Sequence, residues 1–241
     1  MLKLVAIVAM TLDHIALVFL TAGEPLYIVF RTVGRITGPV MFYFVAEGYH
    51  KTHNVNRYTL RLAVFAAVSY VPFIFCFKGS LPNADNFWNY NVVFTLFLGL
   101  LALRVRHEIK GKLPLKVLLT ALLLILSVTS DWYYIGVLFI LMFDMCRGDF
   151  KKQALGYCLL TLAYILPGLT GPARMLMTGQ PFDVTVFISN VYRLGMFIPI
   201  VLLSRYNGRL GRGGTAAKWS FYIFYPAHLL ILGLIHLYVV G

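Results

Sequence analysis

The sequence predicts an all-α fold, a polytopic bundle of about nine membrane-spanning helices, on three observations. Hydrophobic residues fill 60% of the 241 positions and charged residues 12%, against roughly 45–50% and 25% in soluble domains; the mean hydropathy is +0.79. Apolar runs, most of them near the length of a bilayer crossing, recur from one end of the chain to the other. The basic residues concentrate in every second linker between those runs, which is the positive-inside pattern.

The runs, bounded by polar residues or by Pro and Gly, lie near 2–20, 26–49, 58–77, 90–103, 114–129, 132–146, 154–171, 184–203 and 219–240. Nine helices of about 20 residues consume about 180, so the chain is expected to be one membrane domain over 1–241 with no soluble catalytic domain. Lys51 and Arg57 share one basic linker; Arg104, Arg106, Lys110, Lys112 and Lys116 a second; Arg147, Lys151 and Lys152 a third; Arg205, Arg209, Arg212 and Lys218 a fourth. The intervening linkers hold only Lys78 and Arg174. This alternation predicts a cytoplasmic amino terminus and a carboxyl terminus outside. The net charge of +12 is therefore spread over linkers instead of forming one patch, which excludes nucleic acid as a partner.

Thr21-Ala22-Gly23 follows the first run like a signal-peptidase site, but Asp13 and His14 inside that run argue against a cleaved signal. Cys76, Cys146 and Cys158 have no metal or redox spacing, so neither a disulfide framework nor a metal is expected. Trp88, Tyr90, Trp132, Trp219 and Tyr238 lie near helix ends, where amphipathic rings favour the headgroup region. Pro39, Pro72, Pro167 and Pro199 mark places where a helix can break.

Function is expected where lipid should tolerate nothing polar. Asp13, His14, Arg31, Arg35, Glu47, Arg61, Arg193 and His228 fall within the runs or at their edges, and a charge at a helix centre costs about 2.5–3.5 kcal/mol. They must therefore meet one another or a wet cavity. Asp13 and His14 point about 100° apart on a helix, so each needs a partner from another helix. Arg31 and Arg35 share a face and suit an oxyanion, or one of them neutralises Asp13. Glu47 and Arg61 flank one hairpin and are expected to pair. His14 is either a base or proton carrier near mid-membrane or a helix-to-helix hydrogen bond, and His228 has site and packing roles open equally.

Seven segments in order carry a resemblance: Leu2-Lys3-Leu4, Met10 to Ile15, Arg31-Thr32-Val33-Gly34-Arg35, Ala46 to Tyr49, Arg57 with Leu60-Arg61-Leu62, Asn91 to Thr95, and Lys218 to His228. Together they resemble the TraX family, named for a membrane protein that N-acetylates a pilin subunit, and through it the wider transmembrane acyltransferase group. Lys3 and His14 match that group's basic residue and His eleven positions on, with Lys in place of the more usual Arg. Ser220 to His228 resembles its closing Ser-Tyr-x-x-Tyr-x-x-His pattern, with Phe221 where the first Tyr stands.

The resemblance implies a multi-pass protein of the bacterial cytoplasmic membrane that moves an acetyl group from cytoplasmic acetyl-CoA. The acceptor would be an amine, a peptide or protein amino terminus, or a glycan hydroxyl, arriving at the membrane or its outer face. His14 becomes the catalytic base, with Asp13 and Arg35 beside it. Lys3, Arg31, Arg57, Arg61, Arg193, Lys218, Tyr222, Tyr225 and His228 become the expected donor contacts, with membrane lipid as a further partner and no metal. A proton-coupled transporter of a small anion is the alternative from another class, since buried Asp, His and Arg also form relays. Against it, the hydropathy shows no duplicated half. A noncatalytic partner in pilus assembly is a third reading, and the mid-depth ionisable groups disfavour it.

Overall fold

A computed structural model of the chain describes the backbone of residues 1–178, 188, 190–206, 208 and 214–240. It describes their side chains except those of 169, 171–176, 214–218 and 240. The regular elements among the described residues are all helices, joined by turns and loops, with an isolated bridge between Tyr90 and Ser130. Four runs among them are long and apolar enough to cross a membrane: Leu2–Phe19, Pro25–Lys51, Val55–Lys78 and Trp219–Val239. Leu113–Ser127, Tyr133–Met145 and Tyr192–Ser204 are apolar and shorter.

The chain divides into two compact units. The first, Met1–Val40 with Asp149–Arg209, holds α1 (Leu2–Phe19), α2 (Pro25–Gly34), the start of α3 (Thr37–Lys51), α9 (Phe150–Met177), a 3₁₀ segment (Tyr192–Phe197) and α10 (Ile198–Ser204). The second, Met41–Gly148 with Leu210–Gly241, holds the rest of α3, α4 (Val55–Val68), α5 (Tyr70–Lys78), α6 (Val92–Glu108), α7 (Leu113–Ser127), α8 (Tyr133–Met145) and α11 (Gly214–Val240).

Helices α1 and α7 are inverted relative to the helices of a soluble protein. Helix α1 buries Ala6, Ala9, Asp13, His14 and Ala16 while Leu4, Val5, Val8 and Leu17 face outward. Helix α7 buries only Ser127 and exposes Leu115, Val117, Leu118, Leu122, Ile125 and Leu126. Small and polar residues inside with large apolar ones outside is the arrangement that lipid, not water, stabilises.

The run near 26–49 is not one straight helix. Pro39 has no N–H, and its ring excludes the carbonyl of residue 35, so the ladder opens there. Helix α2 ends at Gly34, and Ile36 bonds the Val33 carbonyl with the tighter i−3 spacing. The run near 58–77 behaves alike: Pro72 stands four residues after Val68, where α4 ends. Near 184–203 the described residues 188, 190 and 191 are helical, a 3₁₀ segment follows over Tyr192–Phe197, and α10 starts just before Pro199. Pro167 and Pro226 lie within the continuous α9 and α11.

In the second unit, α6 packs on α8 through glycines. A Cβ on Gly99 would lie 2.2 Å from Ile140 Cδ1, and one on Gly136 2.6 Å from Thr95 Cγ2. Trp132, expected at the headgroup belt, is instead buried and edge-on to Phe42 at 5.2 Å. Its apolar area is worth more in that aromatic core than at the interface. Trp88 and Tyr238 are exposed as expected, and Trp219 is partly exposed against Phe65 and Tyr222.

Candidate functional site

Spacing on α1 puts Ala6, Ala9, Asp13 and Ala16 on one stripe. The alanines let α2 come close, and Gly34 lets it come closer still at Asp13. A Cβ on Gly34 would stand 2.2 Å from Asp13 Oδ1 and 2.4 Å from its Cγ. Thr37, opening α3, donates its hydroxyl to the Ala6 carbonyl at 3.0 Å and ties the helix break to α1.

Into this close approach α2 delivers both arginines. Arg31 Nη1 donates to Asp13 Oδ1 at 2.7 Å, and Arg35 Nη2 to Oδ1 and Oδ2 at 3.1 and 2.9 Å. The three side chains are only 8–11% exposed. Both guanidiniums, not one, thus neutralise Asp13. Arg31 and Arg35 share a helical face, so a single carboxylate can bridge them.

The 3₁₀ segment closes the cluster from the other side. Gly195 lies so near α2 that a Cβ there would meet the Thr32 carbonyl oxygen at 2.3 Å, and this contact sets Tyr192 against the arginines. The guanidinium carbons of Arg31, Arg35 and Arg193 lie 4.7, 5.4 and 5.8 Å from the Tyr192 ring centroid, within cation–π range. Tyr27 meets Tyr192 edge-on at 6.5 Å. Arg193 also faces Tyr164 at 5.6 Å and donates Nε to Asn190 Oδ1 at 2.9 Å. Asp13, Arg31, Arg35 and Arg193 together carry a formal charge of +2, an excess that favours a further anion.

His14 is buried one residue along α1, about 100° round the helix from Asp13. Lys3 is exposed in the first turn, about 16 Å along the helix axis from His14. The first unit therefore gathers Asp13, Arg31, Arg35 and Arg193 into one cluster, with His14 on the same helix. Tyr192, Tyr27, Tyr164, Gly34 and Gly195 complete that cluster; sequence reasoning missed all but Gly34, which it named within the Arg31 to Arg35 segment without giving it a role. Tyr192 stands beside Arg193 in an apolar run, which was the signal available for it.

The other expected contacts belong to the second unit. Arg61 lies over the Tyr58 ring at 5.5 Å, and the Tyr222 ring packs on Phe65 at 4.9 Å. Tyr225 is buried, with its ring 5.6 Å from that of His228. His228 turns Nδ1 to its own helix, 2.9 Å from the Phe224 carbonyl, and stacks on the Phe224 ring at 4.8 Å. Arg57 is exposed, with its backbone N–H capped by Asn54. The Lys218 side chain lies outside the described residues. Glu47 does not pair with Arg61: it binds Lys51 at 2.8 Å and Arg147 at 2.9 Å. Lys51 stands one turn further along α3, and Arg147 lies two residues beyond the end of α8.

Fold and site define the class: an all-helical membrane protein whose first two helices bury a carboxylate between guanidiniums. Residues 1–236 match the family described as TraX protein. The chain belongs to the TraX family. It is 33% identical over 236 residues to a probable fimbrial assembly protein FimC, serogroup H1, of Dichelobacter nodosus, covering 96% of this chain and 92% of that relative. No solved structure matches it.

Proposed function

We propose that this protein is a membrane acyltransferase that moves an acetyl group from acetyl-CoA to an amine, with His14 as general base. The reading rests on one observation above the rest: Asp13, Arg31 and Arg35 are buried, half-buried Arg193 brings the cluster's excess to two positive charges, and the cluster is built on the helix that carries His14. Such a cluster favours negative charge developing beside it. In the proposed reaction the acceptor nitrogen attacks the thioester carbonyl while His14 takes its proton. The C–N bond forms, the C–S bond breaks, and the imidazolium returns the proton to the departing thiolate. Arg35 or Arg193 steadies the oxyanion, Arg31 holds Asp13 in place, and Lys3 meets the donor's phosphates. The name of the relative, a fimbrial assembly protein, supports a protein amino terminus as acceptor over a glycan. The basic linkers support nine spans, with the amino terminus and the donor on the cytoplasmic side of a bacterial inner membrane.

The test is transfer of radiolabelled acetyl from acetyl-CoA by the purified protein. His14→Gln is expected to lose about 100- to 10,000-fold of the rate, the usual contribution of a general base, with CoA binding retained. Transfer by His14→Gln at the rate of the unsubstituted protein would remove the base from the mechanism. A second reading, proton-coupled anion transport, draws on the helix break beside Arg35. Uptake into liposomes without CoA binding would select it.

A further inference from the structure

We propose that His50, His107 and Asp144 form a binding site for a divalent transition-metal ion of the zinc class. The three residues are 37 or more positions apart in sequence, and no motif spacing joins them. Each closes the last turn of a different helix, α3, α6 and α8, beside one of the basic linkers. All three belong to the second unit, apart from the Asp13 cluster and His14, so the site is independent of the proposed acyl transfer.

The donor set is two imidazole nitrogens and one carboxylate, the kind zinc takes in sites that keep a fourth position open. Both Nε2 atoms converge on one carboxylate: His50 at 2.6 Å from Asp144 Oδ1, His107 at 3.0 and 2.9 Å from Oδ1 and Oδ2. The three ligand atoms lie within 4.8 Å of one another. Zinc bonds of about 2.0–2.2 Å in a tetrahedral site set donor atoms about 3.3 Å apart. The separations from Asp144 Oδ1, 2.6 Å to His50 and 3.0 Å to His107, fall about 0.7 and 0.3 Å short of that, a gap that rotation of the two partly exposed imidazoles closes.

The groups around the ligands hold them ready. Tyr49 stacks on His107 at 5.2 Å and meets His50 edge-on at 5.3 Å, so one ring orients both imidazoles. Arg106 Nε lies 2.9 Å from Asp144 Oδ2, which leaves Oδ1 for the metal and turns the carboxylate toward it, the part an outer partner plays in metal sites. The Asp144 side chain is 1% exposed, while those of His50 and His107 are 25% and 36% exposed. The anionic ligand is thus buried, and the fourth position opens toward solvent between the imidazoles.

The experiment is zinc binding to the full-length protein, purified in detergent through a tag without histidine and stripped with a chelator. Bound metal is counted by mass spectrometry, and affinity is read by competition with a fluorescent zinc chelator. One zinc per chain is expected, with His50→Gln or His107→Gln weakening binding by about 100-fold or more and His53→Gln, in the adjacent linker, leaving it unchanged. Cobalt should give the absorption of a four-coordinate site. Less than one zinc per chain, or unchanged affinity in the double His50→Gln/His107→Gln variant, overturns the proposal. Should those variants not fold, Arg106→Gln decides: it removes the partner that orients Asp144 and is expected to weaken zinc binding by about 10-fold or more, and unchanged or tighter binding overturns the site.

Discussion

Removing the Asp13 carboxylate should cost this protein much of its stability, and the structure says how much. Asp13 accepts three hydrogen bonds of 2.7, 2.9 and 3.1 Å from two guanidiniums whose side chains are 8–10% exposed. Asp13→Ala leaves two buried cations facing a third at Arg193 around one Tyr192 ring. Breaking one side of a buried ion pair costs about 3–5 kcal/mol. At about 2–4 °C per kcal/mol for a chain of this size, the melting temperature should fall by roughly 6–20 °C. Asp13→Asn keeps an oxygen acceptor and should lose less. The triple variant Asp13→Leu/Arg31→Met/Arg35→Met replaces charge with apolar volume and should recover most of the loss, because the penalty lies in the orphaned charges. The assay is thermal unfolding of detergent-solubilised protein followed by circular dichroism. A melting temperature for Asp13→Ala within the equivalent of about 1 kcal/mol of the parent, or a triple variant no better than the single one, would refute the reasoning.

Two glycines test the close approaches that build each unit. Gly34→Ala puts a methyl group 2.2 Å from Asp13 Oδ1; it should cost about 1–3 kcal/mol and, combined with Asp13→Ala, less than the sum of the two, which a double-mutant cycle reads directly. Gly136→Ala forces a methyl group to 2.6 Å from Thr95 Cγ2 and 3.0 Å from Phe42 Cζ. It should destabilise the α6–α8 contact by a similar amount, measured by the same melts, without changing the rate of the proposed acetyl transfer by the folded fraction.

The residues most legible in the sequence were those whose chemistry is wrong for lipid. Asp13, Arg31 and Arg35 announce themselves because a charge in an apolar run has to find a partner, and the i, i+4 spacing of the arginines already placed them on one face. What stayed hidden was the partner of each. Glu47 had Arg61 across the hairpin as its expected partner, and only the helix-end arrangement around it selects Lys51 and Arg147 instead. Trp132 read as a belt residue because a tryptophan at a helix end fits either environment, and its burial against Phe42 depends on where α3 runs.

By itself, the sequence determined that this is an all-helical membrane protein resembling the TraX family, that four prolines could break its apolar runs, and that the first two runs carry Asp13 with two arginines on one helical face. Those are local or compositional facts: the solvent a side chain tolerates, the N–H a proline lacks, the spacing of one helical turn. The tertiary structure alone decided that Tyr192 sits between three guanidiniums and that His50, His107 and Asp144 meet at the ends of three helices. Such meetings join residues from 37 to more than 150 positions apart, and their geometry is set by how closely helices pack at Gly34, Gly195 and Gly136. No pattern along one helix contains that distance.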